Sequence, residues 1–288
     1  MMIPEEKKEI LKNIRLIAFD LDGTLLTKNG LTDHTKKTLE EAAERGFQVV
    51  AATGRPLIAL PKSIFAVNGL RYAICSNGAQ IVDLRDGSFL YSDYIHPEVS
   101  EWLRIHLLKL GYPIEVFSEG GAYISDERYR FYLEKAGTPE GSDYVLTTRR
   151  PVDDIWEFWR QHIDTIENIN IIIRDPVIKQ KVWEELEDLQ SECTVTSSTS
   201  YNIEIGGSAT SKAKGLKALS ELTGVPLTQT MSFGDSPNDC AMLEESGFGV
   251  AVKNALPSVR ESADYVTLSC DDEGVAYAIR KLLFNEEI

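Results

Sequence analysis

The sequence predicts an α/β fold, a parallel sheet core interrupted by an inserted α+β domain. Three observations carry this. The first third alternates apolar runs with helical segments at βαβ spacing. The last third does the same. Between them, from about Gly87 to Ser198, the alternation lapses into hairpin-like strands and longer helices. The expected organisation is a discontinuous core, residues 1–90 and 197–288, with an insert at 91–196.

The elements follow in order. IRLIAF (14–19), FQVVAA (47–52) and YAICS (72–76) are continuous apolar runs ending at polar turns, as expected of parallel strands buried on both faces. TKKTLEEAAERG places Leu39, Ala42 and Ala43 on one helical face and stops at Gly46. Pro56 is placed to open a following helix. In the insert, PEVSEWLRIHLLKLG, ERYRFYLEKAG, VDDIWEFWRQH and VIKQKVWEELEDLQ read as helices, and PIEVF, AYIS, INIIIR and CTVTSS as strand segments. The core is expected to resume near Tyr201. SKAKGLKALSELTG is then a helix with Leu216, Leu219 and Leu222 on its apolar side, TQTMSFG (228–234) a strand, DCAMLEESG a helix, FGVAV a strand and GVAYAIRKLLF a terminal helix.

Composition narrows the function. The 288 residues are 43% hydrophobic and 26% charged, with a net charge of −15. Such an acidic chain is repelled by nucleic acid and by anionic membranes, so neither is expected as a partner. No apolar run approaches the length of a membrane span. The start, MMIPEEKKEILKN, is charged and lacks the apolar stretch of a secretory signal. Cys75, Cys193, Cys240 and Cys270 are isolated and form no CxxC. The expectation is reduced thiols and a cytoplasmic location.

Ligands of open α/β sheets bind outside the carboxyl ends of the strands. Asp20 and Asp22 lie at such an end, as do Thr53, Gly54 and Arg55 after the second strand. Ser76, Asn77 and Gly78 follow the third, and Asp235 follows TQTMSFG. Were these strands neighbours, their polar ends would converge. Converging carboxylates repel unless a cation sits among them, and hard oxygen ligands suit Mg²⁺ completed by a substrate phosphate. A carboxylate beside such a metal can attack phosphorus. A calcium loop starting at Asp20 would need Glu at its twelfth position, where Leu31 stands. A plain surface turn explains DLDGT alone but not its pairing with GDSPND. Lys212 falls in the first turn of a helix, where the macrodipole disfavours a cation, which points to an anionic neighbour.

FDLDGTLL, ATGR, SNGA, TSK and GDSPNDCAML, in this order, resemble the motifs of the haloacid dehalogenase-like (HAD) superfamily. The large insert between ATGR and TSK resembles that of its Cof-type phosphatases, with a C2B cap on a Rossmann-like core. The resemblance implies Asp20 as nucleophile and Asp22 as general acid and base. It implies Mg²⁺ held by Asp20, Asp235 and the main-chain carbonyl of Asp22. It further implies phosphate contacts from Leu21, Thr53, Gly54, Lys212 and Asn238. Asp239 would support the site, and Arg55 and Asn77 would face the cap or substrate. The substrate expected is a small phosphorylated metabolite such as a sugar phosphate. Phosphomannomutases resemble this core and cap, so transfer to a second hydroxyl is the alternative; a non-catalytic binding module is a further one. In the insert, Tyr123, Arg128, Tyr129 and Arg130 are candidates to line a pocket, weighed against plain packing.

One departure bears on the lysine. The family usually has Gly directly after it, whereas this chain reads Ser211-Lys212-Ala213-Lys214-Gly215. Counting from Lys212, positions +4 and +7 are Leu216 and Leu219, an apolar stripe; from Lys214 they are Ala218 and Glu221. The periodicity selects Lys212 and leaves Lys214 on the surface.

Overall fold

Two sheets, one in each of two units, organise the computed structural model, which describes residues 5–138, 142–187, 189, 191–197 and 199–287. The first unit comprises residues 1–53, 61–91 and 211–288; the second comprises 54–60 and 92–210. In chain order the strands are β1 (Leu16–Phe19), β2 (Gln48–Ala52), β3 (Leu70–Cys75), β4 (Gln80–Asp83), β5 (Ser88–Ser92), β6 (Ile114–Ser118) and β7 (Gly121–Ser125). There follow β8 (Arg150–Val152), β9 (Ile166–Ile172), β10 (Cys193–Thr196), β11 (Asn202–Gly207), β12 (Thr230–Gly234), β13 (Phe248–Ala251) and β14 (Tyr265–Val266).

The first unit holds an eight-stranded sheet in the order β14-β13-β12-β1-β2-β3-β4-β5, parallel from β14 through β3 and antiparallel between β3 and β4. This is the expected α/β fold. Strand β1 is buried along its whole length, because LIAF has apolar partners on both faces. Order reverses at β1: β2 and β3 extend to one side, β12 and β13 to the other. The register aligns Phe19 with both Phe233 and Ala51, so the tips of β12, β1 and β2 end level.

The helix Asp33–Glu44 begins where the Thr32 side chain accepts from the Thr35 amide, and Gly46 follows it with φ +92°. The helix Lys212–Thr223 begins at Ser211, whose side chain accepts from the Lys214 amide. Its buried Ala213, Leu216 and Leu219 pack with Leu16, Val50 and Ile74. That helix lies very close to the turn after β3. A Cβ on Gly215 would sit 2.6 Å from the Ile74 side chain and 2.9 Å from the Gly78 backbone. A Cβ on Gly78 would overlap the Ser211 carbonyl oxygen. Pro56 opens only a short turn, Leu57–Ala59, because Pro61 interrupts any longer helix.

The second unit holds a six-stranded sheet in the order β10-β11-β9-β6-β7-β8, mostly antiparallel. One face is apolar: Ile114, Val116, Ile169, Ile171, Ile203 and Ile205 pack against Leu103, Trp159 and Val182 of the helices Pro97–Leu110, Ile155–Gln161 and Pro176–Glu187. The opposite face carries Glu115, Asn170 and Glu204 across neighbouring strands. Glu115 pairs there with Arg149 at 2.8 Å. The two ends of this segment meet, since Thr210 Oγ1 donates to Asp93 Oδ2 at 2.7 Å.

The expected boundaries shift at both ends of the insert. The first sheet continues through β4 and β5 to Ser92, two strands that the sequence reading did not assign. The sequence places the return to the core at 197, but β11 pairs with β9 and β10, so the second unit runs to Thr210. The end of the expected helix VIKQKVWEELEDLQ, at Asp188 and Gln190, lies outside the described residues, as does Ser198 of CTVTSS. Among the described residues no helix is long and apolar enough to cross a membrane.

The close approach at Gly215 can be tested. Helix propensity alone favours alanine over glycine by about 1 kcal/mol, but overpacking against backbone costs about 1–3 kcal/mol. Gly215→Ala is therefore expected to lower stability in urea denaturation. A stabilised variant would show that the helix and the Gly78 turn are not in tight contact.

Candidate active site

The reversal of strand order at β1 sets the position of the site, because an open α/β sheet leaves a crevice where neighbouring connections depart to opposite sides. Asp20 stands at the tip of β1 and Asp235 at the tip of β12. The Asp20 amide donates to the Phe233 carbonyl at 3.0 Å, which locks the two tips together. Asp20, Asp235 and Asp239 each bring one carboxylate oxygen within 4.8 Å of the others.

Lys212 lies among them. It is 1% exposed, and its Nζ donates to Asp20 Oδ1 at 2.6 Å and to Asp239 Oδ1 at 2.7 Å. Burial alone would lower its pKa, but the charges of Asp20 and Asp239 outweigh burial and hold it above the ordinary lysine range. The anionic neighbour inferred from its place at a helix start is thus two carboxylates. Lys214 is exposed.

Each carboxylate has a distinct environment. Asp239 is fully buried and committed on both oxygens: Oδ1 takes Lys212, while Oδ2 accepts the amides of Asp235 and Ser236, each at 3.0 Å. Asp235 accepts from Thr24 Oγ1 at 2.7 Å and from Ser236 Oγ at 3.1 Å. Burial pushes the Asp235 carboxyl up. Burial also pushes Asp20 up; Lys212 opposes this, while Asp239 and Asp22 add to it. Asp22 is exposed. Three carboxylates, those of Asp20, Asp235 and Asp239, thus cluster about a single ammonium. Hard oxygen donors with a negative surplus fit a divalent cation. With Asp239 spent on Lys212 and the backbone, the oxygens left for it are those of Asp20 and Asp235.

The loop DLDGT is shaped for this closeness. The Leu21 carbonyl accepts from the amides of Leu25 and Leu26. Gly23 takes φ +82°, and a Cβ there would sit 2.6 Å from Asp235 Oδ2. Thr53, at the tip of β2, is buried; its amide donates to the Ile74 carbonyl and its own carbonyl accepts from Asn77. Ser76 and Asn77 both have left-handed backbone, φ +49° and +56°, which costs about 1–3 kcal/mol each. Asn238 Nδ2 donates to Asn77 Oδ1 at 3.0 Å.

Other sequence candidates belong to the second unit or have partners of their own. Gly54 and Arg55 fall in the second unit, where Arg55 donates to the Ala59 carbonyl at 2.9 Å and lies 4.8 Å from the Tyr144 ring. Tyr123 stacks on Phe158 in the core of the second unit. Arg128 donates to the Tyr132 hydroxyl, Tyr129 to the Leu146 carbonyl, and Arg130 pairs with Asp126. These four serve packing and surface pairing. Conversely, Thr24, Ser236 and Asn254 were not assigned roles. Asn254 Nδ2 donates to the Gly23 carbonyl at 2.7 Å, and its Oδ1 accepts from the Cys270 amide. The same strand-end rule applied to FGVAV would have found Asn254, three residues past β13.

A family model described as haloacid dehalogenase-like hydrolase matches residues 17–279. The chain is 31% identical over 289 residues to phosphatase YwpJ of Bacillus subtilis, covering 94% of this chain and all of that one. It is 31% identical over 277 residues to the 5-amino-6-(5-phospho-D-ribitylamino)uracil phosphatase YcsE of the same organism, covering 93% and 95%. A solved haloacid dehalogenase-like hydrolase from B. subtilis superposes with a TM-score of 0.81 at 29% identity, covering 94% of this chain and 100% of that one.

The Asp239 bridge predicts a stability effect independent of any reaction. Asp239→Ala strips Lys212 of one counter-charge and leaves two amides unpartnered, and breaking a buried pair costs about 3–5 kcal/mol. A loss on that order is expected in chemical denaturation. An unchanged midpoint would mean that the bridge does not hold in solution.

Proposed function

Because this chain belongs to the haloacid dehalogenase-like hydrolase family, we propose that it is a Mg²⁺-dependent phosphatase acting on a small phosphorylated metabolite, a sugar phosphate or similar monoester. The observation that carries this reading is the buried Lys212 held between Asp20, at the tip of β1, and Asp239, in the loop after β12. An ammonium fixed beside a carboxylate at a strand-end crevice suits a transferring phosphoryl group.

In this reading, an oxygen of Asp20 attacks phosphorus and the bond from phosphorus to the ester oxygen breaks, leaving an aspartyl phosphate. Asp22 gives its proton to the departing alkoxide. Water then attacks the same phosphorus, Asp22 takes back a proton, inorganic phosphate leaves and the Asp20 carboxylate is restored. Asp22 is exposed and so accessible to the leaving group and to water, while Asp20 is bonded to Lys212. Lys212 holds Asp20 in place and shares its charge with the phosphoryl oxygens. Thr53, Gly54, Asn238 and the main chain at Leu21 supply donors to the phosphate. Asp20, Asp235 and the main-chain carbonyl of Asp22 would hold Mg²⁺, which when bound neutralises charge on the transferring group. In this reading the insert corresponds to the family's cap domain. The four free cysteines support a cytoplasmic location.

The test is phosphate release from a panel of sugar phosphates, nucleotides and cofactor phosphates, with and without EDTA. Activity is expected to need Mg²⁺ and to vanish in Asp20→Asn, which should remain folded. Full activity after chelation, or in that variant, would end the proposal, and isomerisation without free phosphate would favour a mutase.

The two lysines separate the roles further. Lys212→Ala is expected to lose about 10²–10³ in kcat, while Lys214→Ala stays within a few-fold of the parent. The reverse ranking in steady-state kinetics would overturn the assignment.

A further inference from the structure

We propose that Asn77 is a positioning residue that acts through Asn238, and that the left-handed Ser76–Asn77–Gly78 turn serves to present it. This rests on the phosphatase reading, in which Asn238 touches the phosphate group.

The turn is unusual in being strained and enclosed at once. Three successive residues have positive φ: +49°, +56° and +102°. Ser76 and Asn77 are buried, so no solvent contact accounts for their conformation. Asparagine tolerates left-handed backbone better than most residues, but glycine does so at no steric cost. The backbone alone therefore does not require an asparagine at 77. What the side chain adds is an acceptor, and Asn238 Nδ2 donates to it at 3.0 Å.

Asn238 is held at one end only. An amide nitrogen carries two hydrogens. One goes to Asn77, which leaves the other for an anionic oxygen. The amide oxygen of Asn238 is buried and finds no partner among the described residues. That oxygen is an acceptor and is not what an anion would meet; the donor available to an arriving anionic oxygen is the second hydrogen on Nδ2 of the half-buried Asn238. Without the Asn77 acceptor, nothing described fixes the direction of that amide.

The turn also touches two other parts of the site. The Asn77 amide donates to the Thr53 carbonyl at 3.0 Å. Gly78 lies against Ser211, the residue that caps the Lys212 helix. One short turn thus bears on a phosphate-binding threonine, a phosphate-binding asparagine and the start of the lysine helix. Its own groups need not touch the substrate to matter to its placement.

A double-mutant cycle tests this. Glycine at 77 preserves the backbone conformation and deletes only the amide. Inorganic phosphate is titrated calorimetrically, with Mg²⁺ present, into the parent, Asn77→Gly, Asn238→Ala and the double variant. Each single variant is expected to bind phosphate about tenfold more weakly, the scale of one hydrogen bond to a charged group. The double variant should bind no worse than Asn238→Ala alone, because the two residues act as a unit. The thermal midpoint of Asn77→Gly should stay near that of the parent, which a merely structural role would not allow. Near-parent phosphate affinity in Asn77→Gly beside a weakened Asn238→Ala overturns the inference and leaves the phosphatase reading standing. Multiplicative losses in the double variant overturn it equally. Near-parent affinity in Asn238→Ala removes the phosphate contact itself, and this inference with it. Should Asn77→Gly not fold, the side-chain amide resonances of Asn238 in the parent decide: slow exchange and a shift on adding phosphate support the inference, and averaged, unresponsive signals overturn it.

Discussion

A charged ammonium removed from water is the constraint around which the first unit is arranged. Stripping an ion of its hydration costs several kcal/mol, and only close counter-charges with good hydrogen bonds repay it. Lys212 has two such partners, and each belongs to a different part of the chain: Asp20 ends β1, and Asp239 closes the loop after β12. Asp239 in turn ties the ammonium to the backbone of Asp235 and Ser236. The direction in which the Lys212 helix starts, the clearance at Gly78 and Gly215, and the spacing of the acidic tips are all conditions for one side chain to stay charged while buried.

The sheet topology makes this arrangement available. Parallel strands end on the same edge, so β12, β1, β2 and β3 deliver their following residues to one rim. The reversal at β1 opens that rim between Asp20 and Asp235. Crowding acidic groups there demands backbone that ordinary residues adopt poorly. Gly23 meets this demand with its missing Cβ, and Ser76 and Asn77 accept strain. Among the described residues, Ser76 and Asn77 are two of the five non-glycine positions with positive φ, the others being Glu119, Glu273 and Asn285.

Much of this was legible in the sequence because two signals agree. Apolar runs buried on both faces marked β1, β2, β3 and β12, and the polar residues directly after them marked the site. Lys212 was distinguishable from Lys214 by the periodicity of Leu216 and Leu219, both buried in the structure. The insert was harder. The core is expected to resume near Tyr201, yet in the segment NIEIGG isoleucine alternates with Asn202 and Glu204, the pattern of a strand with one apolar and one polar face, and it pairs in the antiparallel sheet. Tyr123 is open in the sequence to a pocket or a packing role, because an aromatic carries no label of which face it occupies; its register opposite Val116 sets it, partly buried, against the apolar core. Arg55 follows Thr53 by two positions but partners Ala59 and Tyr144, a tertiary preference that spacing along the chain does not encode.

The bond between Asp93 and Thr210 has a consequence for how the chain reaches this state. Asp20 and Lys212 are separated by 192 positions, and closing so long a loop is slow and entropically costly. The clamp joins residues 117 positions apart at the two ends of the insert. Once the insert has folded and that clamp is made, the flexible path from β5 to the lysine helix shrinks to a few residues. By loop-closure arithmetic, shortening the Asp20–Lys212 loop from 192 positions to about 75 relieves about 0.8 kcal/mol of chain entropy. An insert that folds before the core would shorten in this way the encounter between the core's N-terminal and C-terminal parts.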